Sequence, residues 1–180
     1  MEQHLTDLIA ALGSDDGPKR KPARETLTLL GEPAIPQLRG LLFSADKRIR
    51  WEAAKCLGAM VDPASVEAFV ELVTDQYSEV RWLAGSGLIN LGPRSAAPVL
   101  KSIVRYPDSM GHQQAARRVL RGLSSDNGVL AEIVGPVVDA LDHPDPAVIA
   151  SKAAVALTEL EKTTGVHHPM DSASSPGPQV

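Results

Sequence analysis

The sequence predicts an all-α fold, a right-handed α-solenoid (α/α superhelix) of about five helical hairpins with no sheet. Three observations lead there. One helical pattern returns at intervals of 30, 31, 32 and 37 residues: Lys19/Ala23/Leu27, Ile49/Ala53/Leu57, Val80/Ala84/Leu88, His112/Ala116/Leu120 and Ile149/Ala153/Leu157. A period of that size belongs to arrays in which each hairpin buries its apolar side by stacking on its neighbours. Apolar stripes at helical spacing alternate with Gly, Pro and Asp punctuation. Strand signals are missing, since no alternating β-branched run occurs and aromatic residues make up only 3% of the chain.

Taken in order, residues 3 to 12 set Leu5, Leu8, Ile9 and Leu12 on one stripe. The run Gly13-Ser14-Asp15-Asp16-Gly17 ends it, giving a capping helix within 1–14. The solenoid follows over 15–162. Its first (A) helices are expected near 19–30, 46–60, 77–91, 110–123 and 145–160, and its second (B) helices near 34–43, 64–74, 95–105 and 128–141. Pro33 and Pro63 fall at B-helix starts, where a missing N–H costs nothing and a fixed φ favours helix entry. Pro136 comes late enough in its helix to kink it. Asp62, Ser95 and Asp126 are candidate N-caps, able to accept the first unpaired backbone donors. Gly85 and Gly87 stand mid-helix, where each costs up to about 1 kcal/mol relative to Ala, so a close approach of neighbouring helices is expected there. Residues 163–180, rich in Gly, His, Pro and Ser without periodicity, read as a disordered tail.

Net charge is −4. It hides an asymmetry: residues 17–55 carry nine Lys/Arg against four Asp/Glu, and residues 122–180 carry two against eight. An elongated array would be electrically polar along its axis, a dipole able to steer a partner. No apolar run reaches membrane-span length and the start lacks a basic, then apolar, leader, so a cytoplasmic protein is expected. The lone Cys56 shares its repeat position with Thr26, Gly87, Val119 and Ala156, and reads as an inert thiol between helices.

The phrases Asp46-Lys47-Arg48-Ile49-Arg50-Trp51 and Val80-Arg81-Trp82, each leading into a small-residue helix and a Pro-led partner, resemble HEAT repeats. They are most similar to the short variety named after the phycobilisome lyases. The resemblance implies an inter-repeat ladder of Arg on Asp, with Arg20, Arg50 and Arg81 facing Asp46, Asp75 and Asp145. The Arg slot becomes Gln113 and Ala150 in the last two repeats. It also implies a protein-binding scaffold whose B helices line the concave side.

No catalytic residue, metal site or cofactor is expected. Among polar B-helix positions, Gln37, Arg39, Glu67, Glu71, Lys101 and Arg105 are the candidate contacts for a protein or peptide. Trp51 and Trp82 share one repeat position and form a second candidate patch, with packing between repeats as the competing role. His167, His168 and Asp171 could chelate a metal only adventitiously. Membrane and small molecules are disfavoured as partners. Nucleic acid is disfavoured too, because the basic clusters Lys19-Arg20-Lys21-Arg24, Lys47-Arg48-Arg50 and Arg117-Arg118-Arg121 face mixed charge on the B helices. A bilin-lyase-like accessory role rests on the family resemblance alone.

Overall fold

A computed structural model describes residues 2–165. Among them are ten α-helices, three short 3₁₀ turns and no strand. The helices are α1 Glu2–Leu12, α2 Gly17–Leu30, α3 Ile35–Leu41, α4 Lys47–Met60, α5 Val66–Leu72, α6 Ser78–Leu91, α7 Ala96–Arg105, α8 Met110–Ser124, α9 Gly128–Ala140 and α10 Pro146–Thr164. The last runs past the expected limit of 162, and positions 166–180 of the expected tail, with His167, His168 and Asp171, lie outside the described residues.

Each of the first three junctions from A to B helix is built alike. Gly31, Val61 and Gly92 take positive φ values of 68°, 54° and 77°. A 3₁₀ turn follows, Glu32–Ala34, Pro63–Ser65 or Pro93–Ser95, whose third residue is fully buried. Of the expected caps, Asp62 accepts from Ala64 N, 3.2 Å. Ser95 and Asp126 do not cap. Ser95 Oγ is buried without a partner, and Asn127 caps α9 by accepting from Leu130 N, 3.0 Å. Helix α9 runs through Pro136.

Packing makes the solenoid. Helices α2, α4, α6 and α8 stack in sequence as one layer, α1 covers α2 at one end, and each B helix packs on the A helix that follows it. Leu27, Leu38, Leu57, Phe69, Leu88, Leu100 and Leu120 are all completely buried, one continuous core through the array. Burial of this kind contributes roughly 1.5–3 kcal/mol per large side chain. Gly87 is where α6 meets the Phe69 ring of α5: a Cβ there would lie 2.7 Å from the ring. Gly58 of α4 sits against the same glycine, its own added Cβ being 3.8 Å from Gly87 Cα.

The order fails once. Helix α10 packs on α9 and across α7 rather than on α8. No helix of the described residues is long and apolar enough to cross a membrane.

Candidate binding faces

The polar side chains of the A layer are largely engaged within the protein. Arg20, Arg50, Arg81 and Gln113 occupy one repeat position. Each donates to the carbonyl six residues before it: Ser14 O at 2.8 Å, Ser44 O at 2.7 Å, Asp75 O at 2.7 Å and Pro107 O at 2.6 Å. Gln113 therefore keeps the loop-closing bond of the arginines it replaces. Only Arg50 also meets an aspartate, donating from Nε to Asp75 Oδ2 at 2.6 Å and from Nη2 to Oδ1 at 3.1 Å. Both side chains are nearly buried, and the Asp75 carboxylate raises the Arg50 pKa.

The expected ladder is corrected by this register. Asp46 and Asp75 are not equivalent. Asp46 is the N-cap of α4, accepting from Arg48 N at 2.8 Å, and its counterpart before α6 is Tyr77. Asp145 likewise caps α10, accepting from Ala147 N at 2.9 Å. Asp75 stands where the preceding repeats have Ser14 and Ser44. Arg20 consequently finds no aspartate ahead of it; with Arg24 it grips Glu52, at 3.0 and 2.6 Å, and Glu52 is 2% exposed. Arg81 lies over Gly111, where an added Cβ would come within 3.2 Å of its guanidinium carbon.

On the B side, Gln37, Glu67, Glu71, Lys101 and Arg105 are exposed and Arg39 is half-buried. Helices α3 and α5 leave a groove of about 450 Å³ between them, lined by Arg39, Glu67 and Glu71 with Pro36, Gly40 and Phe43. A second cavity of about 530 Å³ adjoins it at Phe43 and Glu71. Phe43 is 65% exposed, an apolar anchor at the junction of the two. Arg105 spans from α7 to Glu71 at 3.4 Å. Gln37 lines neither cavity, and Lys101 lines a separate one beside α10.

Residues 5–89 match a family model described as HEAT repeats. Over those residues the chain is similar to HEAT repeats. The complex of CpcE and CpcF of phycocyanin lyase from Nostoc sp. PCC7120 is similar at 21% identity over 87% of this chain and 99% of that one, with a TM-score of 0.60. At that identity the likeness shows the fold alone. An engineered protein (24% identity, 88% and 81% covered, TM-score 0.46) and a designed armadillo repeat protein (14%, 87% and 99%, TM-score 0.36) are also similar. Comparison with curated proteins gives no match.

Beyond the matched HEAT residues, the loop-closing bond at Gln113 carries the repeat geometry into α8. The two tryptophans differ in setting. Trp51 is half-buried against the core, with Lys55 Nζ 4.4 Å from its ring centre. Trp82 is 56% exposed but lies under Arg118 of α8, whose Cζ is 4.6 Å from the ring centre. The same guanidinium donates to Trp82 O at 2.9 Å and Ser86 Oγ at 2.8 Å. Gly85 makes the room, since a Cβ there would stand 3.0 Å from Arg118 Nη1. An α6–α8 clamp is thus what this tryptophan builds.

Sequence reasoning missed Phe43, and it placed Arg118 only in a basic cluster rather than over Trp82. The signal for Arg118 was present in Gly85, a helix-interior glycine on the face turned toward α8. Phe43 lies two residues past the end of α3, where no periodic position marks it as exposed. Cys56 is completely buried, and burial raises its thiol pKa to about 11. Among the described residues no three His, Cys, Asp or Glu side chains are grouped to hold a metal.

Proposed function

We propose that the chain is a non-enzymatic HEAT scaffold that receives a protein or peptide in the B-side groove between α3 and α5. The observation that carries this is Phe43, exposed at the meeting of two cavities and flanked by Glu67 and Glu71. An aromatic anchor in a concave surface with acids at its edge suits a segment offering an apolar side chain beside Lys or Arg. That the similar lyase structure is a complex of two proteins supports a protein partner. The lone free thiol, Cys56, fits a reducing, cytoplasmic setting.

Two other readings have less behind them. Nucleic-acid binding through the A layer would need free cations, yet Arg20, Arg24, Arg48, Arg50 and Arg117 are bonded to carboxylates and Arg118 to Trp82 and Ser86. A bilin-lyase accessory role has the fold likeness in its favour, and titration with a bilin tests it directly. For the scaffold reading, the test is affinity capture with the native chain, Phe43→Asp, and Trp82→Ala. Loss of the captured partner in the first variant only is expected; equal capture by all three rejects the α3–α5 groove.

A further inference from the structure

Where α10 leaves the repeat order and lies across α7, it holds α7 and α9 apart. The gap is a pocket of about 660 Å³ between the three helices. That lies inside the range of about 300–1,000 Å³ usual for small-ligand sites. Leu130 and Ile133 of α9 and Leu160 of α10 give it an apolar lining, and Val129, 57% exposed, stands at its mouth. Charge at the pocket is sorted by wall. Arg94 and Lys101, two helical turns apart on the α7 side, are both exposed cations with no ion pair among the described residues. The acid of the lining, Glu161, belongs to α10. Thr163 and Thr164 already donate to the carbonyls of Glu159 and Leu160, at 2.9 and 3.0 Å, so they do not compete for a ligand anion.

We propose that this pocket binds a small amphipathic carboxylate, an apolar chain seated on Leu130, Ile133 and Leu160 with its carboxylate turned to Arg94 and Lys101. Residue patterns alone point away from small molecules. The pocket exists because of where α10 is placed, which no local pattern encodes. Apolar body and anionic head both follow from the lining: the cations occupy one wall only, Asn127 Oδ1 already accepts from Leu130 N, and the two threonines already donate to carbonyls.

The probe is dodecanoate below its micellar concentration, titrated calorimetrically into the full chain, with amide shifts of Val129, Ile133 and Leu160 followed by NMR. Saturable one-to-one binding with shifts confined to this pocket is expected. Arg94→Glu and Lys101→Glu should each weaken it about fivefold and the double variant more than about twentyfold, while Glu161→Gln should tighten it about twofold. Arg39→Glu, on the other groove, should leave it unchanged and keeps this test separate from that of the scaffold reading. Equal affinity for dodecanol would overturn the proposal, as would indifference to both charge reversals with the fold intact by circular dichroism. So would binding that appears only after residues 166–180 are removed, for then the chain's own end fills the pocket.

Discussion

Helices α4 and α6, in the middle of the array, and helices α8 and α10, at its end, begin from the same repeat pattern and finish in different places. In the middle, glycines let the backbones close, Gly58 against Gly87, and Arg50 reaches forward to a buried carboxylate on the next repeat. At the end each of these devices is altered. Arg81 bonds back to Asp75 O and lies over Gly111 with no acid ahead of it, Gln113 keeps only the backward bond to Pro107 O, and Ala150 has no polar side-chain atom at all. Nothing of that kind ties α10 to α8, and α10 finds its apolar cover on α7 and α9. A solenoid's repeat pattern therefore specifies helices one by one, while stacking order depends on the few contacts that join neighbours.

The comparison is broken most severely by removing Asp75. Its carboxylate is the counter-charge to Arg50, whose side chain is 9% exposed, and losing it leaves a cation stranded between repeats. Asp75→Ala should destabilise by about 3 kcal/mol in urea unfolding. Because Asp75 Oδ1 also accepts from Tyr77 N at 2.9 Å, Asp75→Asn separates the two roles: it keeps a cap acceptor and should recover only a minor share. A loss below about 1 kcal/mol would mean that apolar stacking alone fixes the α4–α6 order.

Second in size is Gly87→Ala. The added methyl would sit under 3 Å from three atoms of the Phe69 ring, which is fully buried and has nowhere to go. Overpacking of about 1–3 kcal/mol is offset by up to about 1 kcal/mol of helix propensity, for a net loss of about 1–2 kcal/mol. Gly58→Ala, at ordinary contact distance, should cost little and serves as the internal contrast.

These residues show what the sequence could reveal. The helices, their boundaries within a few residues and the small-residue approach at Gly85 and Gly87 follow from periodicity and propensity, which are local. The position of α10 does not, because it is decided by tertiary contacts among three elements. The Arg–Asp ladder failed in part for a related reason: Asp46 and Asp75 look alike in sequence, and only the N-cap register, Asp16, Asp46, Tyr77, Ser109 and Asp145, reveals that they sit in different slots. Of the candidate contacts, Arg39, Glu67 and Glu71 come together because α3 and α5 are neighbours. Lys101 was separated from them by the same α10 placement that no periodicity records.

The α7–α8 joint, between the two regions, is probed by pH. His112 takes the core slot filled by Ile49 and Val80, is 1% exposed, and lies 2.9 Å from Ser102 Oγ. The Ser102 hydroxyl donates to Val99 O at 2.7 Å, so it accepts from His112 Nε2, and Nδ1 is left without a partner. Burial lowers the His112 pKa, with the Tyr106 backbone opposing in smaller part. Unfolded, the imidazole titrates near 6.5. The folded state binds that proton less readily, so stability is held above this pH and declines as pH falls below it toward the lower folded value. His112→Leu should flatten the pH dependence of unfolding just below 6.5 while leaving stability at pH 8 little changed. An unchanged slope would show that His112 is solvated in the folded chain.

The smallest effect expected is a gain. Gly31 and Gly92, the C-caps of α2 and α6, take positive φ with ψ of −132° and −160°, but the C-cap of α4 is Val61, left-handed with φ 54° and ψ 38°. A β-branched residue there brings its Cβ against the following carbonyl, at a cost of roughly 1–2 kcal/mol. Its side chain is 43% exposed and returns little by burial. Val61→Gly relieves that strain but gives the unfolded chain more freedom, which takes back part of the gain. A net stabilisation of about 0.5–1 kcal/mol in urea unfolding is expected. The middle region would then exceed the end by a wider margin, and a loss on this substitution would mean that Val61 packs against the array more than its exposure implies.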